Sequence, residues 1–284
     1  MDEFGFLKPE DIKNALRPDT ILVSVMYANN EIGTIEPIAE IAKVIKKFRE
    51  ENKNTWPYFH TDACQATGAL DMDVQKLGVD ALTINGSKIY GPKGIGCLYL
   101  RRGVRIKPLI WGGGQENNLR SGTENVPGIM GLARALEIAQ KEKEEENTRL
   151  IKLRDYFIKE VSQKISKVVL NGHPSLRLPN NINVSVLDIE GEGVILYLDA
   201  KGIYISTGSA CTSTSLDPSH VILALGRPYE YAHGSLRFTL GRWTTKEDLD
   251  YVLEVLPKVV EKLRSFSPVK IEIGQDYVSH PEAF

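Results

Sequence analysis

Short apolar runs that end in polar loops, each followed by apolar residues at helical spacing, predict an α/β protein with a mainly parallel sheet. The pattern appears first in TILVSVMYANNEIGT followed by IAEIAKVIKKFREEN, and again in WPYFHTDACQ followed by the short helical stretch DMDVQKLGV. A long proline-free stretch after Pro127, running to about Ile165, then separates this part from a second set of strands and helices. The division predicts two domains: residues 1–144, carrying the larger parallel-sheet domain, and residues 145–284, a smaller α+β domain.

Along the chain, DALTINGSKIYGPKGIGCLYLR reads as two strands around a glycine-rich loop. The stretch after Pro127 predicts one long helix or a bent pair, with KEKEEENTR as its solvated face. Beyond it, NNINVSVL, EGEGVILYLDAKGIYIS and GSLRFTLG read as strands with a helix between them, and TKEDLDYVLEVLPKVVEKLRSF as an amphipathic helix. Patterning weakens after Pro268. Internal repeats and low-complexity segments are not evident.

Composition narrows the class of function. The 284 residues carry 35 basic and 37 acidic side chains, a formal net charge of −2, so no strong field favours nucleic acid or an anionic membrane. Cys64, Cys97 and Cys211 are too few and too scattered for a disulfide framework, and no CxxC pair suggests zinc. The mixed, acidic first residues are unlike a secretory signal, and no apolar run approaches the roughly 20 residues of a membrane span. These features lead us to expect a cytoplasmic protein acting on a small molecule.

Ligands of parallel α/β sheets lie at the carboxyl ends of the strands, where Asn30, Asp62, Gln65 and Lys88 are expected to emerge. A lysine in a dry crevice loses some preference for its ammonium form and becomes a nucleophile able to form a Schiff base; on the surface it is an ordinary charge. A carboxylate at Asp62 can keep a pyridinium nitrogen protonated, or simply cap a helix. In SLRFTLG the alternation places Leu236, Phe238 and Leu240 on one face and Arg237 with Thr239 on the other. Arg237 there suits bidentate capture of a carboxylate, a structural ion pair being the alternative. In GGGQENNLRSGTENVPG, Thr123 precedes a helix start and offers either an anion site or an ordinary cap. His60, Asp62 and Cys64 share one strand face, but with no second ligand cluster a metal is not expected. STGSACTSTS surrounds Cys211 with small and hydroxyl residues, the composition of a mobile loop rather than of a packed thiol.

The motifs ANNEIG, HTDACQ, KIYGPKGIG, GGGQENNLRSGT, GSACTS and AHGSLRFTLGR occur in the order found in cysteine desulfurases of the NifS/IscS type. The chain therefore resembles that class V aminotransferase family almost throughout, to about Pro268. The resemblance implies a fold type I transferase with pyridoxal 5'-phosphate as cofactor. It implies that Lys88 forms the Schiff base, Asp62 pairs with the pyridinium nitrogen, Gln65 meets the ring oxygen, and Asn30 contacts the cofactor or the substrate carboxylate. Arg237 would bind that carboxylate, Thr123 would reach the phosphate across a homodimer interface, and Cys211 would take the substrate sulfur as a persulfide. L-Cysteine would become L-alanine, and the long form of the Cys211 loop implies delivery to a scaffold protein, for iron–sulfur cluster assembly or tRNA thiolation. The family has serine and histidine near the phosphate where this chain has Asn85 and Ser87; both can still donate hydrogen bonds. Family members also carry a further N-terminal segment with a phosphate-binding turn and a stacking histidine. Its lack implies a truncated cofactor domain: a fragment, one half of a split enzyme with a separate N-terminal polypeptide, or a late-starting gene model. A catalytically silent piece or a selenocysteine lyase is the alternative to the desulfurase.

Overall fold

The computed structural model describes residues 1–208, 218–268 and 270–274. Packing groups them into two units. An N-terminal unit comprises Lys8–Ala28 and Glu36–Glu144, and a C-terminal unit comprises Met1–Leu7, Asn29–Ile35 and the described chain from Glu145 onward.

In the N-terminal unit, α1 (Pro9–Ala15) precedes β1 (Leu22–Met26), α2 (Ile38–Glu51), β2 (Tyr58–Asp62), α3 (Val74–Leu77), β3 (Ala81–Asn85) and β4 (Gly96–Leu100). The strands pair in the order β1-β2-β3-β4, with β1, β2 and β3 parallel and β4 antiparallel to β3. Alternation separates the two faces: Val25, Phe59, Thr61, Leu82 and Ile84 are buried, whereas Ser24, His60, Asp62, Thr83 and Asn85 are exposed or half-buried. The helix α2 buries Ile38, Ile41 and Ile45, one helical stripe, and packs on β2. Asp73 caps α3, accepting the Gln75 and Lys76 N–H groups at 2.9 and 3.4 Å, and Gly78 ends it in the left-handed conformation at φ 70°.

The segment α4 (Gln115–Asn118) is a helix only in part, since Glu116 and Asn117 are left-handed at φ 49° and 57°. The long helix α5 (Val126–Lys164) follows. Its early part is held to the N-terminal unit by Gln140, whose Nε2 donates to the carbonyls of Thr67 and Leu70 at 2.7 and 2.9 Å. There a Cβ on Gly131 would lie 2.5 Å from Pro92 Cγ, so the bare backbone admits the loop.

The C-terminal unit holds β5 (Val168–Leu170), β6 (Asn181–Val186), α6 (Gly191–Asp199), α7 (His220–Ala224), α8 (Tyr229–His233), β7 (Ser235–Thr239) and α9 (Lys246–Phe266). Its strands form an antiparallel sheet in the order β5-β6-β7. Phe157, Val161, Ile182, Val184, Leu198, Leu236, Leu253 and Leu256 build one core from α5, the sheet, α6 and α9. Phe157 and Phe238 meet edge to face at 4.9 Å. Thr245 and Asp248 form a reciprocal capping box that starts α9.

Candidate active site

In the N-terminal unit the strands β2 and β3 deliver their polar residues to one edge. Asp62 is the last residue of β2 and lies opposite Thr83 of β3. Its Oδ1 accepts the Cys64 N–H at 2.9 Å. The Cys64 thiol lies 3.8 Å from the Thr83 carbonyl. Burial, then the hydrogen bond and charge of Asp62, push the thiol up to about 12, against the opposing charge of Lys88. Cys64 is thus a neutral thiol that feels the charges of both Asp62 and Lys88.

Lys88 sits in a 3₁₀ turn, Gly86–Ile89, directly after β3. Asn85, the last residue of β3, caps that turn: its Oδ1 accepts the Lys88 N–H at 3.2 Å and the Ser87 hydroxyl at 3.1 Å. The Ser87 proton is therefore used internally, and of the pair expected to donate to a phosphate only the Asn85 amide keeps its donors in this arrangement. Tyr90 closes the turn at φ 60°. The side chain of Lys88 is exposed, the surface reading of the two that the sequence left open, while Ile89 takes the buried position of the turn. Thr123 is exposed as well, and Asn125 rather than Thr123 serves the start of α5, accepting the Gly128 N–H at 3.2 Å. Gln65 is half-buried three residues beyond Asp62.

The C-terminal unit brings Asn30 and Arg237 together. The Arg237 Nη1 donates to the Asn30 carbonyl at 2.9 Å, and the Arg237 backbone exchanges both hydrogen bonds with Ser206. The guanidinium leaves β7 on the face opposite buried Leu236 and Phe238, as the alternation requires. Cys211 lies outside the described residues.

A model of the aminotransferase class-V family matches residues 1–252. The cysteine desulfurase IscS of Dictyoglomus turgidum is 57% identical over 272 residues, 96% of this chain and 67% of that protein. The chain belongs to the class V aminotransferases, in their cysteine desulfurase branch. The IscS of Methanosarcina thermophila is 56% identical, over 95% of this chain and 65% of its own. Among solved structures, a NifS-like protein superposes with a TM-score of 0.81 at 38% identity, covering 94% of this chain and 67% of that one. A NifS-like protein from Rickettsia africae gives the same score at 28% identity, covering 92% of this chain and 68% of that one. The chain thus spans about two thirds of the length of the desulfurases it matches.

From the sequence His60 was weighed only as a metal ligand, and Glu31 was given no role. His60 bridges three strands, its Nδ1 2.8 Å from Ser24 Oγ and its Nε2 2.8 Å from Thr83 Oγ1. Burial lowers its pKa, against the opposing charge of Asp62. Glu31, in the ANNEIG motif, is buried with 2% of its surface exposed. Only its place in ANNEIG, between Asn30 and Ile32, marked it in sequence. Among the described residues, the one group able to gather metal ligands is Glu190, Glu192 and His233, remote in sequence from these motifs and mostly exposed.

Proposed function

We propose that this chain carries out the cysteine desulfurase reaction with pyridoxal 5'-phosphate, converting L-cysteine to L-alanine and retaining the sulfur as a persulfide on Cys211. The observation that supports it most is the edge formed by Asp62 and the Lys88 turn, an amine and a carboxylate after adjacent parallel strands. That donor set fits the cofactor: Lys88 would hold its aldehyde carbon, Asp62 its ring nitrogen, Gln65 its ring oxygen, and the Asn85 amide, with Ser87 once its hydroxyl turns outward, its phosphate. Thr123 would reach the phosphate of a second copy in a homodimer. When bound, the cofactor supplies an electron sink for the substrate carbons.

The protein's own groups do the rest. Arg237, with Asn30, receives the substrate carboxylate as a charge-assisted pair. Lys88, once released as a free amine, takes the α-proton at Nζ. The Cys211 thiolate then bonds to the substrate sulfur while the carbon–sulfur bond breaks. Its electron pair stays with carbon, which is protonated to become the methyl group of alanine. A scaffold protein would be the acceptor of the persulfide.

Cys211→Ser separates the stages. With cofactor present it should keep the cysteine-induced absorbance change, because binding and proton removal need no protein thiol, and lose alanine and persulfide together. Mass spectrometry before any reductant reads the persulfide. Undiminished alanine release with a persulfide elsewhere would refute the assignment.

A further inference from the structure

Beyond α9 the chain returns to the C-terminal unit and buries one residue there. Ile271, past the last of the family motifs, has 2% of its surface exposed. Both of its backbone groups are held by charged side chains: its N–H donates to Oδ1 of the buried Asp188 at 2.7 Å, and its carbonyl accepts Nζ of the half-buried Lys167 at 2.6 Å. Lys167 also pairs with Asp188 at 3.2 Å and with Glu272 at 2.9 Å. Lys167 and Asp188 are both left-handed, at φ 54° and 67°, a conformation that residues other than glycine keep only where their surroundings enforce it. Three residues on, the Gly274 N–H donates to the Tyr231 hydroxyl at 3.4 Å. Residues 270–274 thus form a strap on this unit.

The Ile271 side chain joins an apolar cluster with Ile32, Leu187, Leu225, Tyr231 and Ala232. Two parts of the expected site stand on that cluster. Ile32 belongs to the turn that presents Asn30: Asn29 Oδ1 accepts the Glu31 and Ile32 N–H groups at 2.8 and 3.0 Å, a side-chain mimic of a backbone turn, so turn and isoleucine move together. Its seat is tight, since a Cβ on Gly5 would lie 2.5 Å from Ile32 Cδ1 and 3.1 Å from Leu225 Cδ2. Tyr231 and Ala232 belong to α8, which runs through Gly234 into β7 and Arg237. A Cβ on Gly234 would overlap the Val186 carbonyl oxygen, and the Tyr231 carbonyl accepts the Ser185 hydroxyl at 2.7 Å, so α8 lies directly on β6. A close-packed interior passes small displacements on to its neighbours. We infer that Ile271 is a positioning residue for the substrate carboxylate: through the cluster it seats the Asn30 turn against the corner between α8 and β7, and with it the pairing of Arg237 and Asn30. The inference rests on that pair receiving the carboxylate in the proposed reaction, where a charge-assisted contact depends on how its partners are oriented.

The test compares the full chain carrying Ile271→Ala with the parent and with Leu253→Ala, which takes as many carbons from the unit's other core, where Leu253 joins Phe157 and Val161. With pyridoxal phosphate present, the concentration giving the half-maximal absorbance change is measured for L-cysteine and for cysteamine, which has the same amine and thiol but no carboxylate. Ile271→Ala should raise that concentration about tenfold for L-cysteine, the loss expected for one charge-assisted hydrogen bond. The amplitude should be kept and the cysteamine value unchanged. Leu253→Ala should leave both values at the parent level. Without cofactor, hydrogen exchange read by mass spectrometry should be faster at Glu31 and Ile32 in Ile271→Ala than in either other protein. Equal weakening of L-cysteine and cysteamine, a matching shift in Leu253→Ala, or parent-like L-cysteine binding by folded Ile271→Ala would overturn the role. If Ile271→Ala does not fold, Ile271→Val, one carbon smaller than the parent, carries the comparison with a smaller shift in the same direction. A parent whose absorbance responds to neither amine refutes the proposed reaction instead; unchanged exchange at the turn would then sink the positioning role as well, and faster exchange would leave the strap's hold on the turn standing.

Discussion

At the scale of single residues, the environment of Cys64 sets how readily its thiol reacts. Burial first, and then Asp62, pushes the Cys64 thiol from an ordinary 9.0 to about 12. At about pH 8 its thiolate fraction is roughly one part in ten thousand, against roughly a tenth for an unperturbed thiol. In a Cys97→Ser, Cys211→Ser chain we expect Cys64 to react with iodoacetamide about a thousandfold more slowly than a free cysteine of ordinary pKa, with the rate rising tenfold per pH unit through about pH 10. Peptide mapping after timed quenching measures it; ordinary reactivity would mean that the thiol is neither buried nor beside the carboxylate. Asp62 and Lys88 were legible in the sequence because a strand end is a local signal, an apolar run meeting polar residues. The Cys64 environment was not, since it depends on which residues of β3 lie opposite β2. The sequence put Lys88 directly after a strand and left crevice and surface both open, because spacing says where a turn falls and not which side chain of the turn faces inward.

Between elements, His60 is the comparable case. The alternation in HTDAC showed that His60, Asp62 and Cys64 share a face, while the parallel register that sets Ser24 and Thr83 against the imidazole is a property of three strands. Its pKa is lowered in the folded chain, so between that value and the ordinary 6.5 the unfolded chain binds more protons. The stability due to a neutral His60 is therefore fully present above about pH 6.5 and is lost as the pH falls through the folded value. Denaturant midpoints measured from about pH 8 down to pH 5 should fall less steeply in His60→Asn than in the parent. Equal slopes would show that the imidazole is not kept neutral by the sheet. The long elements were read well, α9 from an apolar pattern repeated over many turns and α5, as one long helix or a bent pair, from a long run without proline. The short α1, α4, α7, α8 and β5 were not foreseen, because a handful of residues cannot display a period.

For the molecule as a whole, no described helix is long and apolar enough to cross a membrane. The motifs that carry the family resemblance fall in both units, with Asp62, Gln65 and Lys88 in the N-terminal unit and Asn30 and Arg237 in the C-terminal one. That assignment of Asn30 was not legible in a linear reading, since it depends on Asn29–Ile35 leaving their sequence neighbours to pack with residues more than a hundred positions away.

The contact between Gly131 and Pro92 turns this chemistry into a constraint on how the protein can vary. By helix propensity alone, alanine at position 131 would stabilise α5 by up to about 1 kcal/mol. Its methyl group would nevertheless stand 2.5 and 2.9 Å from two carbons of a proline ring, which has no rotamer by which to withdraw. The overlap outweighs the propensity gain, and the loop beginning three residues after Lys88 must give way. Gly131→Ala should therefore stay folded by circular dichroism yet lose most of the Lys88 label that, on the proposed function, borohydride reduction fixes in the parent with pyridoxal phosphate; a full label would show that the loop yields without moving the lysine. A lineage of such proteins could exchange many exposed residues of α5 freely, but at this one position a single added carbon would be felt by an amine it never touches.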